Sequence, residues 1–387
     1  MTADRVARSG DDPVVPLYDE TSLTALLPGV AASMGVDLGL PAVALPAARR
    51  CCVVLIDGLG LQLLQEASAS APFLAGLLAA GGSMTAGCPS TTATSLGSFG
   101  TGLPPGRHGL MGYEVMDPER GVLLNELRWD PGTDPLAWQP HRTAFQRLSD
   151  HEVRVTQVAN PEFAGSGLTA ATLRGGDFVG LKRLPARIDA ALRLLAQPGP
   201  ALVYLYWGEV DAAGHQYGPY SAQWRTALRK VDRELARLAR RLAPDTLLVV
   251  TADHGMVDVP HAGRLDLADR PELSKGIAVV GGEARFVQLY CGPDASPGDV
   301  SAVAARLSDA LGDRAWVRTR QQATADGWFG PVEERVAPRI GDVLVAGRGD
   351  FALIDSRTAR PQVLALIGQH GSLTPAEQFV PLLVHTG

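Results

Sequence analysis

Carboxylate and imidazole side chains recur in the sequence directly after short apolar runs. Six residues share this position: Asp57, Asp211, His215, Asp253, His254 and His370. The runs have the length of strands, and in open α/β sheets functional groups gather in the crevice at the carboxyl ends of the strands. Side chains that are far apart in the sequence can therefore meet at one place.

Three carboxylates and three imidazoles form a ligand set that suits Zn²⁺, which binds nitrogen and oxygen donors. Six ligands are too many for one catalytic zinc ion and suit two. Two cations roughly 3.5–4 Å apart stabilise the attacking and the leaving oxygen of an in-line phosphoryl transfer. The sequence therefore predicts a site for two divalent cations. We expect Zn²⁺, with Mn²⁺ as the alternative because the two ions accept overlapping ligands.

A nucleophile for such a transfer is expected in residues 88–102, which read CPSTTATSLGSFGTG. This segment is a hydroxyl-rich turn that leads into a helix of small residues. A hydroxyl bound to a metal ion ionises near neutral pH without a histidine base, and backbone N–H groups at the start of a helix bind phosphate oxygens. Spacing alone leaves five hydroxyls open as the nucleophile: Ser90, Thr91, Thr92, Thr94 and Ser95.

The elements that position these groups follow a regular pattern. Short apolar runs alternate with helical patterns, which is typical of an α/β fold with a largely parallel sheet. The predicted strands cover Arg50–Ile56, 153–158, 201–206 and Thr246–Thr251, and the predicted amphipathic helices cover Leu184–Leu195 and 221–242.

The pattern changes after His254. Strands are predicted over 284–290 and 343–346, with a helix over 300–311 between them. Because motifs typical of the core resume before His370, we interpret this block as an insertion. The predicted division is a catalytic core of residues 1–257 and 346–387 with an inserted α/β cap subdomain of residues 258–345.

Composition excludes several classes of function. The 387 residues are 46% hydrophobic and 20% charged, which is enough for a large core and too little charge for a disordered chain. A formal net charge of −6 is unlike the strongly basic surface of a nucleic-acid-binding protein, so we expect no nucleic-acid partner. The apolar runs are far shorter than the roughly 20 residues that span a bilayer, so we expect no membrane association.

The chain ends and the cysteines indicate a compartment. The first twenty residues lack the apolar segment of a secretory signal. Cys51, Cys52, Cys88 and Cys291 form no CxxC motif, so we expect small core residues rather than a zinc or redox site. These features predict a cytoplasmic protein. They do not determine an oligomeric state.

Other phosphate-binding motifs are absent from the sequence. Gly58 and Gly60 follow a strand, but Leu63 stands where a dinucleotide-binding motif needs its third glycine. No GxxxxGK[ST] motif of a P-loop enzyme is present. Cys88-Pro89 does not match the Cys-x-Pro-x-Arg pattern of the sulfatases.

The sequence resembles the nucleotide pyrophosphatase/phosphodiesterase family of the alkaline phosphatase superfamily. The resemblance extends from residue 57 to residue 372, and its motifs occur in the order of the family. They are Asp57-Gly58, Pro89-Ser90-Thr91-Thr92, Thr101-Gly102-Leu103-Pro104, Arg107-His108-Gly109, Asp211-Ala212-Ala213-Gly214-His215, Gly218-Pro219, Asp253-His254-Gly255-Met256 and His370-Gly371-Ser372. This resemblance implies an alkaline-phosphatase-like three-layer α/β/α sandwich with a small inserted α/β cap.

The resemblance also implies roles for single residues. Thr92 would be the nucleophile and a metal ligand, because it lies nine positions before the Thr-Gly pair as the family threonine does. The implied ligands of the cation next to Thr92 are Asp57, Asp253 and His254, and those of the other cation are Asp211, His215 and His370. The family asparagine that contacts a phosphate oxygen has no counterpart, since Gly112-Tyr113 stands in its place. Asn125 is the expected substitute in substrate binding.

The implied function is metal-dependent hydrolysis of phosphodiester or pyrophosphate bonds in a small, nucleotide-like phosphoester through a phosphothreonine intermediate. The alternatives within this chemistry are a phosphomonoesterase and a phosphonate hydrolase, since related enzymes with a threonine nucleophile catalyse both reactions. A metal-binding protein without catalytic activity is the alternative from another class.

Overall fold

The computed structural model describes residues 12–387. The prediction that no secretory signal is present concerns the first twenty residues, of which residues 1–11 lie outside the described part. The strands in chain order are β1 Arg50–Ile56, β2 Gly82–Thr85, β3 Glu114–Asp117, β4 Val122–Asn125, β5 Arg154–Ala159, β6 Asp177–Gly180, β7 Ala201–Trp207, β8 Thr246–Thr251, β9 Val257–Asp258, β10 Arg264–Asp266, β11 Ile277–Glu283, β12 Phe286–Cys291, β13 Ala315–Thr319, β14 Val343–Gly347, β15 Ala352–Ile354, β16 Gly368–Gln369 and β17 Phe379–Thr386.

The helices alternate with these strands along most of the chain. In chain order they are α1 Leu26–Ser33, α2 Leu61–Glu66, α3 Pro72–Leu78, α4 Thr92–Thr101, α5 Pro105–His108, α6 Pro135–Trp138, α7 Ala144–Asp150, α8 Gly167–Thr172, α9 Leu184–Leu195, α10 Glu209–Tyr217, α11 Ala222–Ala239, α12 Pro271–Ser274, α13 Pro297–Leu311, α14 Arg320–Ala325, α15 Pro361–Leu364 and α16 Pro375–Gln378. Within residues 12–387 no helix combines the length and the apolar character that crossing a lipid bilayer requires.

A seven-stranded mixed sheet with the order β2-β17-β8-β1-β7-β5-β6 forms the centre of the molecule. β1 lies between β7 and β8 and is parallel to both, and β5 and β6 continue the parallel part. Every residue of β8 is buried, as expected for a parallel strand covered on both faces. The predicted α/β fold is confirmed. The antiparallel strand β17, which lies between β8 and β2, is an addition that the sequence pattern did not predict.

Two groups of helices cover this sheet and complete the three layers. α3, α9 and α11 pack together in one group, and α1, α4, α7 and α8 pack together in the other. α9 has the predicted bounds. α11 begins after Ser221, whose Oγ accepts a hydrogen bond from the Trp224 N–H at 3.1 Å, and it buries Trp224, Leu228 and Leu235 on one face.

A second, smaller sheet of four antiparallel strands has the order β11-β12-β14-β13. α13 covers one face of it, where Val303 and Leu307 pack in a buried apolar cluster with residues of the strands. The strands and the helix predicted in this region are present. β15 pairs with β10, so the structure of this region continues past residue 345. The division into a core and a cap at residues 258 and 345 stays a prediction.

A buried ion pair joins the second sheet to the segment that follows His370. Arg285 lies in the turn between β11 and β12, and its guanidinium donates to both carboxylate oxygens of Glu377 at 3.1 and 2.6 Å. Both side chains are fully buried. Glu377 also accepts a hydrogen bond from the Ser372 N–H at 3.0 Å. The pair therefore holds the β11–β12 turn against the loop that carries His370.

Replacing Glu377 by Gln should destabilise the protein by about 3 kcal/mol, because removing one partner leaves the other as an uncompensated buried charge. The free energy of unfolding in urea measures this effect. Glu272→Gln is the matched control, since Glu272 pairs with Arg270 at the surface and its loss should leave the urea midpoint unchanged. Equal effects of the two substitutions would show that the Arg285–Glu377 pair does not join the two parts of the molecule.

Candidate active site

Three carboxylates meet where three neighbouring strands of the central sheet end. Asp57 directly follows β1, Asp253 comes two residues after β8, and Asp211 lies in the first turn of α10, which follows β7. Since β1 lies between β7 and β8 in the parallel sheet, the carboxyl ends of all three strands are adjacent. The sheet order therefore brings together residues that are up to 196 positions apart.

The first group of possible metal ligands consists of Asp57, Asp211 and His254. The atoms that these residues offer to a metal ion all lie within 4.8 Å of one another. His254 Nε2 lies 3.3 Å from Asp57 Oδ1 and 3.7 Å from Asp253 Oδ2. The hydroxyl oxygen of Thr92 lies 3.3 Å from the same nitrogen. The predicted nucleophile is thus in direct contact with this group.

The second group consists of Asp211, His215 and His370, whose ligand atoms also lie within 4.8 Å of one another. Asp211 and His215 are four residues apart on α10 and share one face, with His215 Nε2 at 3.4 Å from Asp211 Oδ2. The rings of His254 and His370 stack with their centroids 3.6 Å apart. Asp211 joins the two groups, which contain five residues, and His254 Nε2 adds its contacts with Thr92 and Asp253. All seven predicted residues therefore lie in one continuous cluster.

The three imidazoles are held in the orientation that metal ligands need. In each ring Nδ1 lies within hydrogen-bond distance of a backbone carbonyl and donates its proton there, so that Nε2 faces the cluster. The carbonyls are Gly368 O for His215 at 2.7 Å, Gly255 O for His254 at 2.9 Å and Ser90 O for His370 at 3.0 Å. A hydrogen-bonded backbone therefore orients every imidazole of the cluster.

The carboxylates carry an unbalanced charge that a cation would balance. One oxygen each of Asp57, Asp211 and Asp253 is buried without a hydrogen-bond partner among the described residues. Burial and the nearby carboxylate of Asp57 together raise the pKa of Asp253 to about 7. Buried polar atoms without a partner are rare in folded proteins. These orphaned oxygens and the free Nε2 atoms fit divalent cations.

Burial and the neighbouring charges also shift the pKa values of His254 and His370. Burial alone would lower the pKa of His254, but Asp253 and Asp57 hold it well above its usual value. Burial, together with the charge of the neighbouring His254, lowers the pKa of His370 well below its usual value. His370 is therefore a neutral imidazole, which is the form that binds metals.

The structure distinguishes Thr92 from the other hydroxyls of its segment. Thr92 is the first residue of α4 and is partly exposed, whereas the other four candidates are buried. Ser90 donates its hydroxyl to Ser372 O at 2.7 Å, and Ser95 Oγ accepts from the Gly87 N–H at 3.3 Å. The geometry thus favours Thr92 as the reacting hydroxyl, a choice that spacing left open.

Asn125 has a local structural role at the end of β4. Its Oδ1 accepts hydrogen bonds from the Leu127 and Arg128 N–H groups at 3.2 and 3.0 Å, and its Nδ2 faces Glu114 Oε1 at 3.4 Å. These contacts form a turn, and no hydrogen bond of residues 12–387 that we find joins Asn125 to the cluster. Its role in substrate binding stays a prediction.

The neighbouring Glu126 supports the segment where the family asparagine would lie. Its buried carboxylate accepts hydrogen bonds from the Met111 and Gly112 N–H groups at 2.8 and 3.0 Å and from Trp138 Nε1 at 2.8 Å. Burial raises its pKa to about 7, against the opposite effect of these donors. The sequence offered one signal for this residue, a carboxylate within the apolar run LLNELRW.

Two further polar residues contact the cluster and were not predicted. The Tyr206 hydroxyl donates to Asp57 Oδ2, and Glu283 Oε2 lies 3.6 Å from His370 Nδ1. Burial raises the pKa of Glu283 to about 8, although interactions with His254 and Thr91 act to lower it. Tyr206 looked like a packing residue because it lies in an apolar strand, and Glu283 comes from the other sheet. Neither position has a sequence signal.

A groove of about 620 Å³ ends beside the cluster. Tyr113 and Leu123, from the hairpin of β3 and β4, form one wall, and Ile277 and Val280 of β11 form the other. Glu283 lines the same groove. The second sheet and the segment after Gly112 therefore both shape the surroundings of the site.

Comparisons with known proteins identify the family of the chain. Residues 51–373 match the family described as "Type I phosphodiesterase / nucleotide pyrophosphatase". Human ectonucleotide pyrophosphatase/phosphodiesterase family member 7 is 39% identical over 153 residues, which are 38% of this chain and 32% of that protein. Venom phosphodiesterase 2 of Crotalus adamanteus is 29% identical over 191 residues, 46% of this chain and 22% of that protein. The matched stretches thus cover a third or less of these relatives.

Solved structures with a similar fold cover most of the chain. Murine ectonucleotide pyrophosphatase/phosphodiesterase 5 has a TM-score of 0.68 at 18% identity and covers 87% of both chains. Phosphonoacetate hydrolase from Sinorhizobium meliloti 1021 has a TM-score of 0.66 at 22% identity, over 88% of this chain and 90% of that one. Both likenesses confirm the alkaline-phosphatase-like fold.

Glu126 should make the stability of the protein depend on pH. Because its folded pKa of about 7 lies above the value near 4.5 of an exposed glutamate, its contribution is complete below pH 4.5 and is lost as the pH rises through 7. Between pH 5 and pH 8 the wild type should lose roughly 3 kcal/mol more stability than Glu126→Gln. Urea unfolding at both pH values measures the difference. The exposed Glu162→Gln variant is the control, and wild-type pH dependence in Glu126→Gln would contradict the expectation.

Tyr206→Phe should weaken Zn²⁺ binding by about tenfold, because the variant loses the donor that orients Asp57. Competition with a chromogenic chelator measures the affinity. Tyr204→Phe is the matched control, since Tyr204 lies on the same face of β7, near Asp57 and Asp253, and its hydroxyl has no hydrogen-bond partner among the described residues. Equal zinc affinities of the two variants would contradict an orienting role of Tyr206.

Proposed function

Since the chain belongs to the type I phosphodiesterase/nucleotide pyrophosphatase family, we propose that it hydrolyses phosphodiester or pyrophosphate bonds in small, nucleotide-like substrates. The observation that carries the proposal is the contact of Thr92 with the cluster. A partly exposed hydroxyl lies 3.3 Å from His254 Nε2, beside two groups of metal-ligand atoms that share Asp211. This arrangement is suited to a nucleophile between two cations.

The proposed ligands divide between two cations, Zn²⁺ or alternatively Mn²⁺. Asp57, Asp253 and His254 would hold the one next to Thr92, and Asp211, His215 and His370 would hold the other. When bound, the cations supply Lewis-acid stabilisation of the charge on the phosphoryl oxygens and on the oxygens that enter and leave. The orphaned carboxylate oxygens support this assignment because each needs a positive partner.

The residues of this chain carry the two chemical steps. Thr92 gives up its hydroxyl proton to solvent, and Oγ1 attacks phosphorus in line, so that its bond to phosphorus forms while the bond to the leaving oxygen breaks and that oxygen leaves as an anion or takes up a proton from solvent. The first N–H groups of α4 are placed to bind the phosphoryl oxygens. Water then attacks phosphorus, the Oγ1–phosphorus bond breaks, and the threonine hydroxyl is restored.

The substrate class is supported by the relatives. A structure of the murine family member 5 is described as an inactive threonine-to-alanine variant in complex with AMP. A phosphomonoesterase or phosphonate hydrolase is the second candidate, since phosphonoacetate hydrolase has a similar fold. A metal-binding protein without activity is the distant alternative.

The proposed setting is the cytoplasm, with a small-molecule phosphoester and neither a nucleic acid nor a membrane as partner. The support for this compartment is the state of the cysteines. All four lie within the described residues and are free thiols, and Cys51, Cys52 and Cys88 are buried. Free thiols are typical of a reducing compartment.

Thr92→Ala should lower phosphodiester hydrolysis by at least about a thousandfold and leave the zinc content unchanged, because the variant loses the nucleophile but none of the six carboxylate and imidazole ligands. The measurements are the rate of bis-p-nitrophenyl phosphate hydrolysis and the zinc content by mass spectrometry. Thr92→Ser should retain part of the activity.

The matched control is Thr94→Ala, which removes from the same helix a buried hydroxyl that has no hydrogen-bond partner within residues 12–387, and this variant should retain the activity. Hydrolysis rates for p-nitrophenyl phosphate and phosphonoacetate separate the alternatives. The substrate that is hydrolysed fastest shows whether the protein is a phosphodiesterase, a phosphomonoesterase or a phosphonate hydrolase. Full activity of Thr92→Ala would refute the assignment of Thr92 as the nucleophile. Two bound zinc ions without turnover of any ester or phosphonate would support the inactive metal-binding protein.

A further inference from the structure

We propose that Glu283 is a positioning residue for His370, and that it strengthens the second metal group selectively. The inference rests on the proposed function, because it concerns the ligands assigned there. Glu283 Oε2 lies 3.6 Å from His370 Nδ1, the nitrogen that donates to Ser90 O at 3.0 Å. The other carboxylate oxygen, Oε1, is buried without a hydrogen-bond partner among the described residues.

The position of Glu283 is fixed from two sides. Two residues further along, Arg285 is held by its buried ion pair with Glu377. On the other side, Gly371 follows His370 with a φ of +130°, and a Cβ atom there would lie 2.8 Å from Glu283 Cδ. The missing side chain of Gly371 therefore leaves the space that the carboxylate occupies. Both constraints act on the same contact with His370.

A carboxylate beside the Nδ1–H of a ligating imidazole orients the ring and makes the opposite nitrogen, Nε2, a stronger donor. Among the three imidazoles of the cluster, the ion pairs of residues 12–387 place a carboxylate near Nδ1 of His370 alone. Each Nδ1 also faces a backbone carbonyl, so the carboxylate is the feature that sets His370 apart from His215 and His254. Its effect should therefore fall on the group of Asp211, His215 and His370. The second sheet thereby contributes to a site whose ligands all come from the remainder of the chain.

Glu283→Gln tests the inference, with Zn²⁺ alone as the probe. At pH 8.5 the wild type should bind two zinc ions in a chelator competition. In the variant one of the two affinities should fall by about tenfold to a hundredfold while the other stays unchanged. The kcat for a phosphodiester should fall with it. Glu334→Gln, which removes an exposed carboxylate from the same part of the chain, should change neither affinity.

Two further variants keep the inference testable if Glu283→Gln folds poorly. Glu283→Asp retains the charge at a shorter reach and should restore part of the lost affinity. Gly371→Ala should displace Glu283 and weaken the same zinc ion. The thermal unfolding temperature of the metal-free proteins shows whether each variant is folded.

The outcomes separate the inference from the proposed function. If Glu283→Gln binds both zinc ions as tightly as the wild type does, or if both affinities fall equally, the positioning role is overturned. This holds even when the wild type hydrolyses phosphodiesters. Selective loss of one zinc ion in a protein without hydrolytic activity supports the positioning role and refutes the proposed function. A wild type that binds neither Zn²⁺ nor Mn²⁺ overturns both.

Discussion

Three carboxylates, the buried Asp57 and Asp253 and the half-buried Asp211, lie side by side where β1, β7 and β8 end, and the repulsion between them is the constraint that the neighbouring groups must meet. In an interior of low dielectric constant like charges interact strongly, which is why Asp57 raises the pKa of Asp253. The parallel sheet forces the contact because β1 lies between the two other strands. Nearby groups compensate part of this charge: His254 contacts Asp57, and the Tyr206 hydroxyl donates to Asp57. Bound cations would balance the remaining negative charge.

The loop that carries His370 links the turn before Thr92 to the second sheet. Its Gly371 carbonyl accepts a hydrogen bond from the Ser90 N–H at 3.0 Å, and its Ser372 hydroxyl donates to Gly347 O in β14 at 2.6 Å. Movement of the second sheet would therefore reach the turn before Thr92 through two short hydrogen bonds. In this way a structural element outside the central sheet can influence the reacting groups.

Much of the fold and the candidate site could be predicted from the sequence, because both depend on local patterns. β1 and β8 are continuous apolar runs and therefore have the predicted bounds, as does α9 with its helical spacing. The family was recognised from motifs that lie at strand ends, and the comparisons confirm it. Asp57, Asp253 and His254 could be selected together because each follows such a run.

The sequence by itself thus determined the strand and helix pattern, the residue types of the ligand set and the family. Only the tertiary structure decided which atoms meet. It left Thr92 partly exposed among five similar hydroxyls and brought Tyr206 to Asp57 and Glu283 to His370. The physical reason is that periodicity reports burial along one element, whereas a contact between elements depends on strand order and on the direction of each side chain. Those are set by the packing of the whole chain.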